Sequence, residues 1–287
     1  VRPLVLSLFM IFALITHGRA FAVEAESVNL ESIVGALSGA DEISSGLQLT
    51  DRNSTANRRT VRTYLGTTLT QIGLAPLAHN YGSGENTYAR LSATKSGAAP
   101  ALVLGAHFDS VARSPGANDN ATGIAMVYGV ASYLNSLTCR SRDVIFVFFD
   151  EEERGLVGSR NFASFLKTNG EAIHSVHTID QVGWDKDGDR ALELELPTRE
   201  LEQLYRMFAA DNGYTMPLHR TSTSSTDHSS FRRVGFAAVG ITEEYVNGDT
   251  TPHYHRGSDT FETVDFAYLE HSTAFLSSVF GNLVACE

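Results

Sequence analysis

The side chains of this sequence that are able to do chemistry stand where apolar runs stop. The run 101–106 ends at His107, with Phe108 and Asp109 following it. The run 144–149 ends at Asp150 and the acids Glu151, Glu152 and Glu153, and the run 173–179 ends at Asp180. Asp119 sits in GANDNATG just ahead of a helical pattern, and His255 sits in PHYHRGSDT. Each has an ordinary explanation alone: a chance His-x-Asp, an acidic helix start favoured by the dipole, a turn aspartate, a loop histidine. Their common placement needs another. Three successive apolar segments each aim a metal-capable side chain at one place, and burying several like charges is costly without a cation. Imidazole and carboxylate without thiolate suit zinc or a related divalent metal. One carboxylate bridging two ions, with further ligands on each, sets metals roughly 3.5–4 Å apart, a geometry that activates water.

The elements that must position these residues follow from hydrophobic spacing. After a helical pattern at 27–37 and a polar linker at 51–57, an amphipathic helix is expected over 58–77, with Val61, Leu65, Leu69 and Ile72 on one stripe. An early, antiparallel strand is expected at 87–94. These first hundred residues carry nothing of catalytic character. From residue 101 an order repeats: strand 101–106, helix 121–137, strand 144–149, helix 155–167, strand 173–179, helix 199–212, strand 237–241 and helix 264–285. Strands alternating with helices imply a mostly parallel mixed sheet covered by helices on both faces, a three-layer α/β/α fold. Strand 144–149 (VIFVFF) is apolar throughout, as a doubly covered strand should be. Ligands of such sheets collect at the carboxyl ends of the strands, which is where His107, the acids and Asp180 stand.

Composition excludes some partners. The formal net charge is −11, so there is no basic face to release counterions from nucleic acid or to bind an anionic membrane. Arg2, the apolar stretch 4–15 and Ala20-Phe21-Ala22 read as a signal peptide over 1–22, shorter than a membrane span, and predict an exported chain with one domain over 23–287. Cys139 and Cys286 are the two cysteines. They read either as one disulfide tying the end of a central helix to the C-terminus or as two separate buried thiols.

In order along the chain, GAHFDS, PGANDNATG, FFDEEERGLVGS, TIDQVG, TDHSSF and YHRGSDT resemble the M28 family of zinc aminopeptidases, in particular its exported, bacterial leucyl-aminopeptidase-like members. The resemblance spans roughly residues 105–260. It implies two Zn²⁺ per chain on an α/β/α fold and removal of N-terminal residues from peptides with a free amine. By the same resemblance Asp119 bridges both metals, His107 and Asp180 complete one, and Glu153 and His255 complete the other. Glu152 is the general base, and Asp109 accepts the N–H of His107 to fix its tautomer. The family pattern Glu-Glu-x-Gly-Leu-x-Gly-Ser, aligned on Gly155-Leu156-Val157-Gly158-Ser159, selects Glu152 and Glu153 and leaves Glu151 outside. Spacing to Asp259-Thr260 favours His255 over His253, and His253 and His228 are expected behind the ligands or lining the pocket. The chain departs from the family in two respects. The stretch 221–226 (TSTSST) lacks the Tyr and cysteine pair of some relatives, so an oxyanion donor must come from elsewhere, with Tyr245 and Tyr254 as candidates. Asn118 and Asn120 stand where some relatives have aspartate around the bridging acid. The side-chain pocket is expected from loops 181–189 and 231–250. Rival readings are a glutaminyl cyclase, which shares the fold but uses one zinc, and a metal-binding protein without activity.

Overall fold

A computed structural model describes residues 29–97 and 99–286; the expected signal peptide, and the start of the helix expected at 27–37, lie outside them. Eight strands form one sheet: β1 (Leu77–Asn80), β2 (Glu85–Leu91), β3 (Ala99–His107), β4 (Arg142–Phe149), β5 (Ile173–Ile179), β6 (Leu192–Glu195), β7 (Leu218–Thr221) and β8 (Ala238–Thr242). Their order is β1-β2-β4-β3-β5-β8-β6-β7. The central strands β4, β3, β5 and β8 run parallel, while β1–β2, β2–β4 and β6–β8 are antiparallel.

The helices are α1 (Leu30–Ser38), α2 (Thr55–Gln71), α3 (Gly123–Ser136), α4 (Val157–Thr168), α5 (Arg199–Asp211), α6 (His228–Arg233) and α7 (Phe266–Leu283). The larger core packs α1, α2, α3, α5 and α7 on the sheet face that presents Leu102, Leu104 and Phe146. The smaller one packs Phe162 and Leu166 of α4 and Phe231 of α6 on the opposite face, against Val103, Ile145 and Val147. This is the expected three-layer fold, and the alternation of side chains along β3 and β4 explains why both strands read as unbroken apolar runs.

The chain leaves β3 through α3 to β4 on one side, then returns through α4 to β5 on the other. Strand order therefore reverses at β3, and a crevice opens at the carboxyl ends of β4, β3 and β5. His107 is the last residue of β3, Asp150–Glu153 follow β4, and Asp180 follows β5.

Several boundaries differ from expectation. Helix α2 begins at Thr55, because the Ser54 side chain caps it by accepting the Asn57 N–H at 3.1 Å. It stops at Gln71, where Gly73 takes a left-handed φ of 79°; Leu77 belongs to β1, not to the helix. Residues Ala117–Thr122 form a wide π-like turn ahead of α3 rather than its first turn, with Asp119 and Asn120 outside helical φ/ψ. The short strands β1, β6 and β7, and the short helix α6, have no counterpart in the periodicity. Cys139 and Cys286 are joined in a disulfide, which settles the open alternative and ties the segment after α3 to the residue-286 end of α7.

Candidate metal centre

Two groups of side chains converge in the crevice and share one residue. Nε2 of His107 lies 3.3 Å from Oδ1 of Asp119 and 3.4 Å from Oδ1 of Asp180. Nε2 of His255 lies 3.2 Å from Oδ2 of the same Asp119 and 3.0 Å from Oε2 of Glu153. Each trio offers one ligand atom per residue, all within 4.8 Å of one another. Asp119 thus turns one oxygen to each trio. Asp180 Oδ1 and Glu153 Oε1 are buried and accept no hydrogen bond from the described residues, an arrangement that a cation would satisfy and a solvated acidic loop would not show. The donors fit zinc: imidazole nitrogens and carboxylate oxygens, with no thiolate.

The protonation pattern points the same way. The His255 imidazole is pushed up to about 10 by its hydrogen bonds to Asp119 and Glu153. His107 is raised as well: burial opposes its charge, but the carboxylates of Asp180, Glu152 and Asp119 overcome it. Burial raises Glu153 and Asp180. In the metal-free protein, protons on the two imidazoles supply the positive charge that the acids require.

The surrounding acids divide by what their oxygens do. Asp259 accepts the backbone N–H groups of Asn118 (2.8 Å) and Asp119 (3.0 Å), holding the residue shared by the two trios by its main chain. Glu243, one residue past β8, accepts the Asn118 amide and the N–H groups of Gly183 (3.0 Å) and Trp184 (2.8 Å). Asn120 donates to the Ile179 carbonyl at 2.8 Å. The two asparagines that stand where some relatives have aspartate therefore act as amide donors that stitch the turn to the ends of β5 and β8.

Asp109 departs from its expected contact. Its carboxylate accepts the N–H groups of Glu152 (3.0 Å) and Glu153 (3.2 Å), fixing the backbone of the acid pair. His107 Nδ1 instead donates to the Asp109 main-chain carbonyl at 3.1 Å, with the carboxylate oxygen 3.6 Å away. Glu151 turns out of the centre: it is bound by Arg58 at 3.0 Å and Ser83 at 2.7 Å. Glu152 lines the cleft, raised by burial and by the nearby Asp227, with His107 opposing. His253 is hydrogen-bonded to Ser258 at 3.0 Å, edge-on to Trp184, and His228 is fully buried beside Glu195; neither lines the cleft.

Sequence reading passed over Arg52, in the expected polar linker. It is completely buried and donates to the carbonyls of Phe108 (2.7 Å), Leu37 (2.9 Å), Pro115 (2.5 Å) and Gly116 (2.9 Å). One guanidinium thereby clamps both ends of the loop between His107 and Asp119. Gly116 has a φ of 66°, and a Cβ there would collide with the Arg52 guanidinium and the Asp119 carbonyl, so the clamp requires glycine. An arginine in a run of polar residues gives no sign of burial, which is why it was missed.

A cleft opens beside the centre. Asp119, Glu152, Asp180 and His255 line it, together with Gln181, Glu195, Thr226 and Thr242. Tyr245 and Tyr254 line it too, and Tyr254 stacks on the His255 ring at 3.8 Å between centroids. Loops 181–189 and 231–250 contribute as expected; the end of β6 and the stretch 223–226 contribute as well. Three non-glycine residues here, Glu151, Gln181 and His255, have φ of 60°, 52° and 57°, a left-handed conformation that clusters at functional sites.

The profile of peptidase family M28 matches residues 86–280. The chain belongs to peptidase family M28. Among relatives, a probable leucine aminopeptidase of Arthroderma benhamiae is 29% identical over 192 residues, covering 61% of this chain and 52% of that protein. The chain thus spans about half the length of that relative. Among solved structures, the LapA aminopeptidase of Legionella pneumophila superposes with a TM-score of 0.79 at 20% identity, over 91% of this chain and 73% of that one. The glutaminyl cyclase of Porphyromonas gingivalis superposes with a TM-score of 0.73 at 18% identity, over 91% and 98%. At these identities the structural matches show a shared fold. M28 membership agrees with the six motifs and places the centre inside the family's matched region.

Two outcomes follow. Arg52→Met removes a buried cation and leaves buried carbonyls unpartnered, a loss of about 3 kcal/mol or more; urea unfolding should show it, and the folded variant should bind zinc more weakly. The second concerns pH. Burial lifts Glu195 and Glu243 to about 8 and Asp227 to about 7, and His255 is held near 10 by its acids. All these values exceed the unfolded ones, so the folded metal-free chain binds more protons and loses stability as pH rises from about 4 to about 10. The Tm of chelator-treated protein should fall between pH 5 and 9 while the stabilisation by added zinc grows. A Tm that climbed with pH in chelator would contradict this.

Proposed function

We propose that this M28 chain is a zinc-dependent aminopeptidase, hydrolysing the first peptide bond of peptides with a free N-terminal amine. The observation that carries the reading is Asp119, whose two carboxylate oxygens face two separate histidine-and-carboxylate trios, with Glu152 lining the cleft alongside. His107, Asp180 and Asp119 would hold one ion, and Glu153, His255 and Asp119 the other. When bound, such ions supply Lewis acidity and make water nucleophilic at neutral pH.

The protein's own groups do the rest. Glu152 is fixed through its backbone by Asp109 and kept basic enough by burial to take a proton from the attacking water and deliver it to the leaving nitrogen. As the carbon–oxygen bond forms and the carbon–nitrogen bond breaks, that one proton balances the departing amine. The negative charge gathered around the cleft favours a substrate that carries a free α-amine, which accounts for cleavage at the chain end. Tyr254, stacked on His255 and lining the same cleft, is the candidate to steady the carbonyl oxygen. Export rests on residues 1–22; among the described residues no helix is long and apolar enough to cross a membrane.

A cyclase reading has one observation behind it, the near-complete coverage of the glutaminyl cyclase chain. The complete second trio around His255 favours hydrolysis. The test is turnover of aminoacyl-p-nitroanilides with free and N-acetylated amines. Free-amine substrates should be cleaved, N-acetylated ones should not, and a chelator should abolish turnover. Glu152→Ala should keep its metal and lose about 10³-fold in kcat, while Glu151→Ala stays active. Cyclisation of N-terminal glutamine without release of other residues would move the chain to the cyclase reading.

A further inference from the structure

The lining of the cleft beyond the metal-type residues has a chemistry of its own. Glu195 closes β6 and is 2% exposed, yet it lines the cleft. Its Oε2 accepts the Thr226 hydroxyl at 2.6 Å. His228 lies 3.4 Å from it but brings no charge: burial depresses this imidazole to about 4, and its Nε2 pairs with the Thr223 carbonyl at 3.2 Å. No Lys or Arg among the described residues pairs with Glu195. Beside it, Gln181 is 7% exposed, and its Oε1 is buried without a hydrogen-bond partner.

Two of the lining hydroxyls are already spent as donors, Thr226 on Glu195 and Thr242 on the Gln181 carbonyl at 3.2 Å. What remains at the cleft includes acceptors: the Glu195 carboxyl and hydroxyl lone pairs. The fold makes room for them, since Glu195 pairs with Gly240 in the β6–β8 ladder and any Cβ at Gly240 would collide with Oε2. An apolar side chain entering here would strip water from these acceptors and return nothing. Side chains that only donate are those of lysine, arginine and tryptophan, and of these lysine and arginine also bring the positive charge that pairs with a carboxylate.

We infer that this lining is the seat of the substrate's first side chain and that it selects a basic one, lysine or arginine, with Glu195 as the residue that sets the preference. The inference rests on the aminopeptidase reading and specifies its substrate. The three carboxylates Asp119, Asp180 and Glu153 are taken up by the metal trios, and Glu152 by its role as base. Glu195 is the acid of the cleft left free to pair with a substrate cation. Burial without a charged partner pushes its carboxyl up to about 8, and an entering ammonium or guanidinium supplies the missing partner and favours the ionised form.

The test uses the zinc-loaded full chain and ranks kcat/KM for lysyl-, arginyl-, leucyl- and methionyl-p-nitroanilide. Lysine or arginine should exceed leucine by roughly tenfold or more, as expected for one charge-assisted hydrogen bond in a desolvated pocket. Glu195→Gln should cut that ratio by about tenfold, and Glu195→Met should bring leucine level with or above lysine. Should either variant fail to fold, competitive inhibition of the unmodified enzyme by lysinamide and leucinamide decides, with lysinamide expected to bind more tightly. Leucine preferred over both basic residues, or a ratio unmoved by Glu195→Gln, would overturn this inference while leaving the aminopeptidase standing. No release from any free-amine substrate would remove the aminopeptidase reading and this inference with it.

Discussion

Like charges crowd the carboxyl edge of this sheet. Asp119, Asp180, Glu152, Glu153 and Asp227 are gathered there with two imidazoles, and each carboxylate taken out of water costs on the order of several kcal/mol unless a cation compensates it. In the metal-free chain the compensation comes from protons: the imidazoles keep theirs and hold Asp119 ionised, while burial pushes Asp180 and Glu153 toward their neutral forms. Such a centre is poised to exchange protons for divalent ions, since ligation requires the deprotonated forms. The geometry of the neighbouring loops serves to hold that unfavourable cluster in place.

The acids of the region play two distinct parts, told apart by what satisfies their oxygens. Asp109, Asp259 and Glu243 accept backbone N–H groups and behave as struts: each fixes a main-chain segment at the edge where the two trios and Glu152 stand. Asp180 and Glu153 keep a buried oxygen with no hydrogen bond, and Asp119 divides its oxygens between two histidines. Arg52 complements the struts from the carbonyl side, gathering the peptide oxygens of Phe108, Pro115 and Gly116. A ligand carboxylate must be left unsatisfied by the protein, and a supporting one must not.

Much of this was legible in the sequence because it is local. An apolar strand that stops at a polar residue reports both the strand and the edge at which its last side chain emerges, so His107, Asp180 and the acids after Phe149 could be placed without coordinates. Glu153 falls in the trio and Glu151 outside it, as the Gly155–Ser159 alignment implied. What could not be read depends on distant pairing. The strands β6 and β7 are four residues each, too short for periodicity to show, and Glu195 acquires meaning only once β6 lies against β8. Arg52 sits in a stretch indistinguishable from a solvated linker. Asp109 was assigned its neighbour correctly but the wrong atoms, because its carboxylate finds backbone N–H groups from the loop after β4.

The claim on which the account turns is that one carboxylate is shared between two metal positions. Anomalous diffraction from zinc-soaked crystals, recorded on both sides of the zinc absorption edge, tests it most directly. Two anomalous peaks are predicted, one bounded by His107, Asp180 and Asp119 and one by Glu153, His255 and Asp119, with both lost in Asp119→Ala. A single peak at either trio, or two peaks that survive Asp119→Ala, would contradict the shared-carboxylate centre.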